Sequence, residues 1–311
     1  IEKLMATDSV VNVAFQVEID TWRGRKSVKA MLKSIAPART CPGLEACLEP
    51  DNLSFAADLY ATSDAELCED CCESPEDIEA YECEREKNRA RWEKKAKDDP
   101  DALEDAVVSA IIGDKELHKS QRIVLSSLRS RNSVLAVMAT GRGKSLTFQV
   151  HAACEALAHG KASLFVYPLR ALIADQAFHI NEALSPFGIN ACTLTGESTP
   201  DERRQTFAGL SDGSVDIVLT TPEFLDCHAD EFAQSGRIDF VVVDEAHHIG
   251  LARAGHRPAY GRLGEAIARL GNPVVLALTA TSDESVTDAI DRVLPVKGHV
   301  VDDTMRGNLA I

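Results

Sequence analysis

The sequence lacks any long hydrophobic run, and this absence excludes one class of protein. No stretch reaches about 18 consecutive apolar residues, the length that a membrane-spanning helix needs, so we expect no membrane span. The amino terminus also lacks the pattern of a secretory signal peptide, so we expect a cytoplasmic protein. Residue 1 is Ile rather than Met, from which we expect a piece of a longer product. A length of 311 residues predicts two domains, or one domain with extensions.

Basic residues are also outnumbered: 33 Lys and Arg residues stand against 49 Asp and Glu residues, so the formal net charge at pH 7 is −16. An acidic balance argues at first against a nucleic-acid partner. The charge is unevenly distributed, however: residues 41–106 carry 21 acidic against 7 basic residues, whereas residues 107–311 have a net charge of only −5. The acidity is therefore largely a property of one segment, and it leaves nucleic-acid binding open for the rest of the chain.

Six of the nine cysteines lie in the acidic segment, and a second Cys-x-x-Cys pair is missing from it. The six are Cys41, Cys47, Cys68, Cys71, Cys72 and Cys83. The pair Cys68 and Cys71, with its neighbours, could supply a four-thiolate zinc site, and reduced, solvated thiols are the alternative that we favour. The other three, Cys154, Cys192 and Cys227, have apolar neighbours that are typical of small core residues. Without a secretory signal, we expect no disulfide framework.

Three regions follow one another along the chain. Residues 1–36 alternate with a period of two on either side of a turn at Asp20–Gly24, which predicts a β-hairpin with a returning strand Lys26–Ile35. A hairpin cannot form a domain by itself, so we expect the end of a larger one. Residues 37–106 are predicted to be an acidic, cysteine-rich linker, in which the mixed charges of Tyr81–Lys97 indicate a solvated helix.

Residues 107–311 are predicted to form one α/β domain with a mostly parallel sheet. Helix-period stretches such as Ala171–Leu184 and Gly261–Leu270 separate short, continuous apolar runs, a pattern that is typical of parallel strands covered on both faces. The predicted strands are Val134–Val137, Ser163–Tyr167, Ala191–Leu194, Val215–Leu219, Phe240–Val243 and Val274–Leu278.

A glycine-containing loop follows the first of these strands and precedes a helical pattern, Leu146–Leu157. Backbone N–H groups of such a loop and the positive end of the helix dipole bind phosphate. Lys144 can reach the outer phosphates of a nucleotide, and the Ser145 hydroxyl can ligate Mg²⁺. Met138 stands where the general pattern has Gly. The predicted nucleotide-binding residues are Thr140, Gly141, Arg142, Gly143, Lys144 and Ser145.

An acidic motif, Asp244-Glu-Ala-His247, follows directly on the apolar run Phe240–Val243. Carboxylates at the carboxyl end of a parallel strand lie where ligands bind in such sheets. We therefore expect Asp244 to hold Mg²⁺ through water, and Glu245 to orient or deprotonate the attacking water. Taken alone, the motif could be an acidic helix cap, but the phosphate loop in the same predicted sheet argues against that interpretation.

Together the motifs resemble those of superfamily-two helicases, and their details resemble the RecQ family. The loop Met138–Ser145 is similar to that family's phosphate loop, with Ala139 where Pro is usual and Arg142 where Gly is usual. The resemblance extends from about Ile112 to Leu309. It implies a RecA-like P-loop domain, ATP as the nucleotide, and a catalytic role for His247.

The resemblance also assigns residues outside these two motifs. The segment Ile112–Gln121 is similar to one that ends in an adenine-reading glutamine, so Gln121 is implied to select ATP. Tyr167–Gln176 and Thr220–Leu225 are similar to motifs that track DNA phosphates through contacts that need no basic surface. The residues implied in DNA contact there are Pro168, Arg170, Thr221 and Pro222. The hydroxyls implied in coupling hydrolysis to movement are those of Thr279 and Thr281.

The family's aromatic-rich loop, which senses single-stranded DNA, is only partly matched. Arg257 and Tyr260 fall in register with it and are implied DNA contacts. Ala252 replaces the usual Trp, and His256 replaces the usual Phe. Because stacking of a base on an aromatic side chain contributes roughly 1–3 kcal/mol, we expect weaker stimulation of hydrolysis by DNA.

Both ends of the sequence carry further resemblances. Phe15–Ser27 resembles the last hairpin of the C-terminal OB-type domain of RecJ exonucleases. Met305–Leu309 resembles the segment where the first helicase lobe passes into the second, so we expect this chain to lack the second lobe and the arginines that it would supply to ATP.

The sequence thus predicts an ATP- and Mg²⁺-dependent DNA helicase of RecQ type, joined to a RecJ-like exonuclease in DNA repair or recombination. It would unwind 3′ to 5′ if the family's direction holds, on DNA with a single-stranded segment. A nucleotide-dependent binding or scaffold module with little turnover is the alternative that Ala252 favours. An RNA-directed helicase is a third, against which the register of Arg257 and Tyr260 argues.

Overall fold

The structure, a computed structural model, describes residues 11–22, 25–37, 75–139, 141–252, 257–280 and 283–302. Within these ranges, side chains are described from residue 82 onward. The chain divides into two units, Ile1–Ala80 and Tyr81–Ile311. Among the described residues, no helix combines the length and the apolar character that a membrane span requires.

The first unit contains the predicted hairpin. Strands β1 (Val11–Trp22) and β2 (Arg25–Pro37) pair antiparallel, and the register places Trp22 opposite Arg25. The register shifts between Ala14 and Phe15, as in a β-bulge. The assignment of this hairpin to an OB-type domain stays a prediction.

The second unit is built on a seven-stranded sheet in the order β5-β6-β4-β7-β8-β3-β9, in which all neighbouring strands run parallel. The predicted α/β class with a parallel sheet is therefore confirmed. The strands are β3 (Val134–Val137), β4 (Ala162–Val166), β5 (Ala191–Leu194), β6 (Ile217–Thr220), β7 (Ile238–Val243), β8 (Val274–Thr279) and β9 (Gly298–Val301).

Helices connect successive strands of the sheet, as the crossovers between parallel strands require. They are α1 (Pro75–Asp98), α2 (Leu103–Ile112), α3 (Lys119–Arg129), α4 (Lys144–His159), α5 (Arg170–Leu184), α6 (Pro200–Asp212), α7 (Pro222–Gln234), α8 (His248–Leu251), α9 (Pro258–Gly261), α10 (Leu263–Arg269) and α11 (Glu284–Val293). A 3₁₀ turn, Ser185–Phe187, follows α5.

The two faces of the sheet have separate apolar cores, because successive side chains of a strand point to opposite faces. Ala136 faces the core formed with α2 to α5, where Phe148 and Phe165 pack edge to face at 4.9 Å between ring centroids. Leu135 faces the core formed with the later helices, which includes Phe232 and Tyr260. The sheet is therefore covered on both faces.

Helix α1 differs from the predicted solvated helix. Trp92 packs on Phe187, with 4.7 Å between ring centroids, and its indole N–H donates to the Pro186 carbonyl at 3.2 Å. Ala96 is also buried. Most residues of the helix are charged, so the charge pattern gave no indication of the face that packs. The second unit begins at Tyr81 rather than after residue 106.

A buried carboxylate joins α1 to the end of the sheet where the parallel strands begin, here called the amino edge. Asp216, directly before β6, has a fully buried side chain and accepts from Arg89 Nη1 at 2.8 Å and from the Asn190 N–H at 3.1 Å. The Arg237 guanidinium lies 3.6 Å from its other oxygen. Gly188 lets α1 approach closely, since a Cβ there would lie 2.5 Å from the Arg85 carbonyl oxygen.

Candidate nucleotide-binding site and nucleic-acid face

The loops that follow β3, β7 and β8 meet at the end of the sheet where the parallel strands finish, here called the carboxyl edge. Strand β8 lies between β7 and β3, so Thr279 at its end stands between the phosphate loop and the acidic motif. The Met138 N–H donates to the Thr279 carbonyl at 2.9 Å, and Met138 is fully buried. Sheet order alone thus brings three motifs together that lie far apart in the sequence.

Glycines shape the phosphate loop. Gly141 and Gly143 have φ angles of +76° and +69°, in the left-handed region that L side chains rarely adopt. Lys144 begins α4, and the Ser145 side chain is exposed beside it at the helix terminus. The backbone N–H groups of a helix's first turn have no partner within the helix, so this end can receive phosphate oxygens.

Gln121 is buried beneath the loop and supports its backbone. The side-chain Nε2 donates to the carbonyls of Arg142, at 3.2 Å, and Gly143, at 3.0 Å, while Oε1 accepts from the His118 N–H at 2.8 Å. A Cβ on Gly143 would lie 2.5 Å from Gln121 Nε2. Both amide hydrogens are thus in use, so a bond to an acceptor atom of adenine would require Gln121 to release one carbonyl. The adenine-reading role stays a prediction.

The acidic motif is fixed by hydrogen bonds to both neighbouring strands. The Asp244 N–H donates to Val166 O at 3.0 Å, and the Ala246 N–H donates to Leu278 O at 2.8 Å. Between them Glu245 has a φ of +47°, a left-handed conformation that costs a non-glycine residue about 1 kcal/mol or more. From this conformation the Glu245 carboxylate points toward the phosphate loop, since its Oε1 lies 3.9 Å from Lys144 Nζ.

The charged side chains of the predicted catalytic set face one another. Lys144 Nζ lies 3.9 Å from Glu245 Oε1, and His247 Nδ1 lies 3.2 Å from Glu245 Oε2. The Thr279 hydroxyl is 3.4 Å from His247 Nδ1. Burial raises the pKa of the Asp244 carboxyl, and the Lys144 ammonium opposes that rise. The arrangement links the phosphate loop, the acidic motif and the end of β8 in one chain of polar contacts.

This donor set fits a Mg²⁺–nucleotide complex. The Ser145 hydroxyl and the Asp244 carboxylate are oxygen donors of the kind that Mg²⁺ prefers, and neither side chain is fully buried. The loop and the start of α4 offer N–H groups for phosphates. Thr140 lies outside the described residues, so its predicted contact stays a prediction.

Most of the predicted DNA contacts are buried. Pro168, Thr221, Pro222 and Tyr260 are all buried, and Thr221 caps α7 by accepting from the Phe224 N–H at 3.2 Å. The Tyr260 ring cannot stack on a base in this conformation, because its exposed fraction is 0%. Side-chain readout by these four residues would require a rearrangement, so the predicted contacts remain predictions.

The two predicted arginine contacts are accessible but paired. Arg170 Nη1 donates to Glu197 at 2.8 Å, between two largely exposed side chains. Arg257 donates from Nε and Nη2 to the Glu223 carboxylate at 2.9 and 3.1 Å, and its guanidinium lies 4.9 Å from the centroid of the Tyr260 ring. A DNA phosphate would have to compete with these carboxylates.

Several predicted residues lie outside the described residues: His256, Thr281 and five cysteines of the acidic segment. Cys83, the sixth, is exposed. Within the described part of the chain, no group of three or more His, Cys, Asp or Glu residues is arranged to hold a metal ion by itself. The zinc hypothesis therefore gains no support from the described residues.

Comparison with known proteins assigns the family. Residues 118–289, more than half of the chain, match the family model described as DEAD/DEAH box helicase. The match includes the phosphate loop, the acidic motif and Thr279. The chain belongs to the DEAD/DEAH box helicase family.

Relatives of this helicase domain include proteins named RecQ. The ATP-dependent DNA helicase RecQ of Haemophilus influenzae is 30% identical over 199 residues, which cover 64% of this chain and 30% of that protein. The ATP-dependent DNA helicase Q-like 2 of Arabidopsis thaliana is 28% identical over 209 residues, or 63% of this chain and 28% of that protein. The chain thus spans less than a third of the length of these relatives.

Solved structures support the fold. The DUF1998 helicase MrfA bound to DNA superposes with a TM-score of 0.54 at 20% identity, covering 63% of this chain and 29% of that one. At this identity the likeness concerns the fold alone, and it agrees with the RecA-like α/β fold that the sequence predicts.

Proposed function

We propose that this chain is the ATP-binding part of a RecQ-type DNA helicase, in which ATP binding and hydrolysis are coupled to movement on DNA. One observation carries the proposal: Lys144 and His247 each lie within 4 Å of the Glu245 carboxylate at the carboxyl edge of the sheet, and His247 also contacts Thr279. The RecQ relatives at about 30% identity support the finer assignment.

In this mechanism each side chain has a separate task. The phosphate loop and Lys144 hold the phosphates, and Ser145 with Asp244 would hold Mg²⁺, which offsets negative charge on the phosphates when it is bound. Glu245 accepts a proton from the attacking water and is held by its contact with His247. His247 in turn contacts Thr279 on the next strand, so a change at the phosphates can reach β8 through hydrogen bonds.

The nucleic-acid part of the proposal is that DNA with a single-stranded segment binds on the face that carries Arg170 and Arg257. Both guanidinium groups are accessible, and their carboxylate partners are at least partly exposed, so exchange for a phosphate is sterically possible. Unwinding in the 3′ to 5′ direction and a fusion to a RecJ-like exonuclease are further hypotheses, motivated by the sequence resemblances only.

A second candidate is a nucleotide-dependent binding module with little turnover. Ala252 favours it, because a half-buried methyl group stands where the aromatic loop of the RecQ family has Trp. Without that ring, DNA binding would stimulate hydrolysis less.

The test is ATP hydrolysis with and without single-stranded DNA, for this chain and for the longest natural product that contains it. Lys144→Ala should abolish the DNA-stimulated rate, because the phosphates lose their cation. Lys161→Ala, at the amino edge of the sheet, is the matched control and should behave like the wild type. A DNA-stimulated rate that survives Lys144→Ala contradicts the proposal; ATP binding without turnover in the longest product supports the binding module.

A further inference from the structure

A buried tyrosine hydroxyl lies at the carboxyl edge of the sheet. Tyr167 follows β4 directly, and its exposed fraction is 2%. Among the residues that the structure describes, its hydroxyl oxygen has no hydrogen-bond partner. A buried hydroxyl without a partner lowers the stability of the folded protein. Phenylalanine would fill the same space without that cost, so packing alone does not account for a tyrosine here.

The sheet places Tyr167 beside the acidic motif. Strand β4 pairs in parallel with β7, and Val166 lies opposite Val243, so the residues that follow these two, Tyr167 and Asp244, are neighbours. The Asp244 N–H donates to the Val166 carbonyl at 3.0 Å, and the Tyr167 N–H donates to the Thr220 carbonyl at 2.9 Å. The backbones of both residues are therefore fixed by neighbouring strands.

The Tyr167 ring lies on the face of the sheet that α4 covers. It belongs to the core that contains Phe148 of α4 and Phe165 of β4. Val242, two residues before Asp244, faces the same core, and alternation along a strand directs Asp244 to that face as well. Burial raises the pKa of the Tyr167 phenol, and the charge of Asp244 raises it further. The hydroxyl thus keeps its proton and can donate it to a carboxylate.

Asp244 is a suitable acceptor for this proton. Its carboxyl is half-buried, and burial raises its pKa, which disfavours the ionised form that a metal ion needs. A hydrogen bond from a hydroxyl to a carboxylate is short and charge-assisted, and it favours the ionised form. Because the phenol is neutral, it can orient the carboxylate without adding a positive charge that would compete with Mg²⁺.

We propose that Tyr167 is a positioning residue for the magnesium site: its hydroxyl donates to the Asp244 carboxylate when a Mg²⁺–nucleotide complex is bound, and so raises the affinity for that complex. The inference rests on the proposed function, because it requires Asp244 to take part in holding Mg²⁺. It gives a role in the nucleotide site to the first residue of the segment Tyr167–Gln176, which the sequence resemblance links to DNA.

The test is Tyr167→Phe, which removes the hydroxyl and keeps the ring. The midpoint of urea unfolding should rise, because a buried hydroxyl without a partner is lost. ATP binding in excess Mg²⁺ should weaken about three- to tenfold, because a hydrogen bond to a charged group is lost. In EDTA, where no metal ion is held, the variant and the wild type should bind ATP equally. Calorimetric titration in the two buffers and urea denaturation measure these properties.

Ser163→Ala, at the amino end of the same strand, is the matched control. The Ser163 hydroxyl is also buried, and it too has no hydrogen-bond partner within the described part of the chain. It lies four residues before Tyr167, hence on the same face and about 13 Å away along the strand. Its removal should raise the urea midpoint and leave ATP affinity unchanged in both buffers.

The outcomes separate this inference from the proposed function. Unchanged ATP affinity of Tyr167→Phe in Mg²⁺, with binding abolished by Lys144→Ala, would overturn the inference while the proposed function stands. Equal weakening in Mg²⁺ and in EDTA would also overturn it, since the hydroxyl would then act on the nucleotide site without the metal ion. A lowered urea midpoint would show that the hydroxyl stabilises the free protein, and it would overturn the inference too. No ATP binding by the wild-type chain would overturn both.

Discussion

The two edges of the sheet use charged residues differently. At the amino edge, Asp216 is fully buried and receives Arg89 at 2.8 Å, and Asp239 is paired with Arg131 by two hydrogen bonds. At the carboxyl edge, Lys144 and Glu245 face each other at 3.9 Å, too far for a direct hydrogen bond.

The backbone does not share this contrast. Glu245 at the carboxyl edge has a positive φ and is held there by hydrogen bonds to both neighbouring strands. At the amino edge, Arg131 and Asn272 also have positive φ angles, of +57° and +59°. The difference therefore lies in the side chains: short ion pairs stabilise the fold at the amino edge, whereas the longer separation of Lys144 and Glu245 leaves room for a ligand at the carboxyl edge. Substitutions at the two edges should therefore have separable effects on stability and on turnover.

The largest effect is expected from Glu245→Gln. The amide keeps the size of the side chain but cannot accept a proton from water, so ATP hydrolysis should fall by about 10²–10⁴-fold while ATP still binds. Steady-state hydrolysis and ATP titration on the same preparation measure the two properties. Glu265→Gln, on the exposed surface of α10, is the matched control. Hydrolysis at the wild-type rate would remove Glu245 from the mechanism.

Asp216→Ala tests the opposite edge. The substitution leaves Arg89 and Arg237 without their buried carboxylate and should lower the free energy of unfolding by about 3 kcal/mol, measured by urea denaturation. ATP affinity of the folded protein should not change. In a double-mutant cycle with Arg89→Ala the effects should be non-additive. A loss of ATP affinity without a loss of stability would contradict the division between the edges.

Sequence patterns predicted local features well. The runs Val134–Val137 and Ala191–Leu194 became strands with the predicted bounds. The first is a continuous apolar run on an inner strand and is almost wholly buried, as expected for a strand covered on both faces. The second is an edge strand, in which Cys192 is half-buried and Thr193 is exposed. Strand β9 was not predicted: it forms the edge of the sheet, and only Val300 of its four residues is buried. An edge strand of this kind leaves little apolar signal.

Contacts between residues that are far apart in the chain could not be predicted from the sequence. Glycines and charges located the phosphate loop and the acidic motif, since these features are local. The support of the loop by Gln121 and the pair formed by Arg142 and Asp302 depend on elements that only folding brings together. The burial of Tyr260 follows from the packing of α9 against α7, which no local pattern specifies.

A buried histidine near the amino edge should make stability depend on pH. His151 packs edge to face on Phe240, with 4.6 Å between ring centroids, and burial lowers its pKa to about 4. Between that value and the ordinary pKa of about 6.5, the unfolded chain binds a proton that the folded chain does not. The free energy of unfolding should therefore fall by about 2 kcal/mol between pH 7.5 and 5, through this group alone.

The check is urea denaturation at several pH values for the wild type and for His151→Leu. In the leucine variant, the free energy of unfolding should fall by about 2 kcal/mol less between pH 7.5 and 5, whatever its value at pH 7.5. Equal pH dependence in the two proteins would contradict the assignment, because the protonation difference requires the imidazole.

The smallest effect is expected from Asp239→Asn. The partner Arg131 is about half exposed, so the pair should contribute less than about 1 kcal/mol to the free energy of unfolding. Hydrogen bonding to Arg131 lowers the pKa of the Asp239 carboxyl, so its contribution is present above the ordinary aspartate pKa and is lost only as the pH falls through the lowered value. Between pH 5 and 7.5 the variant should therefore keep the slope that His151 produces. A change in that slope would contradict this expectation and show that the charges of Arg131 and Asp239, which lie near His151, contribute to its protonation in addition to burial.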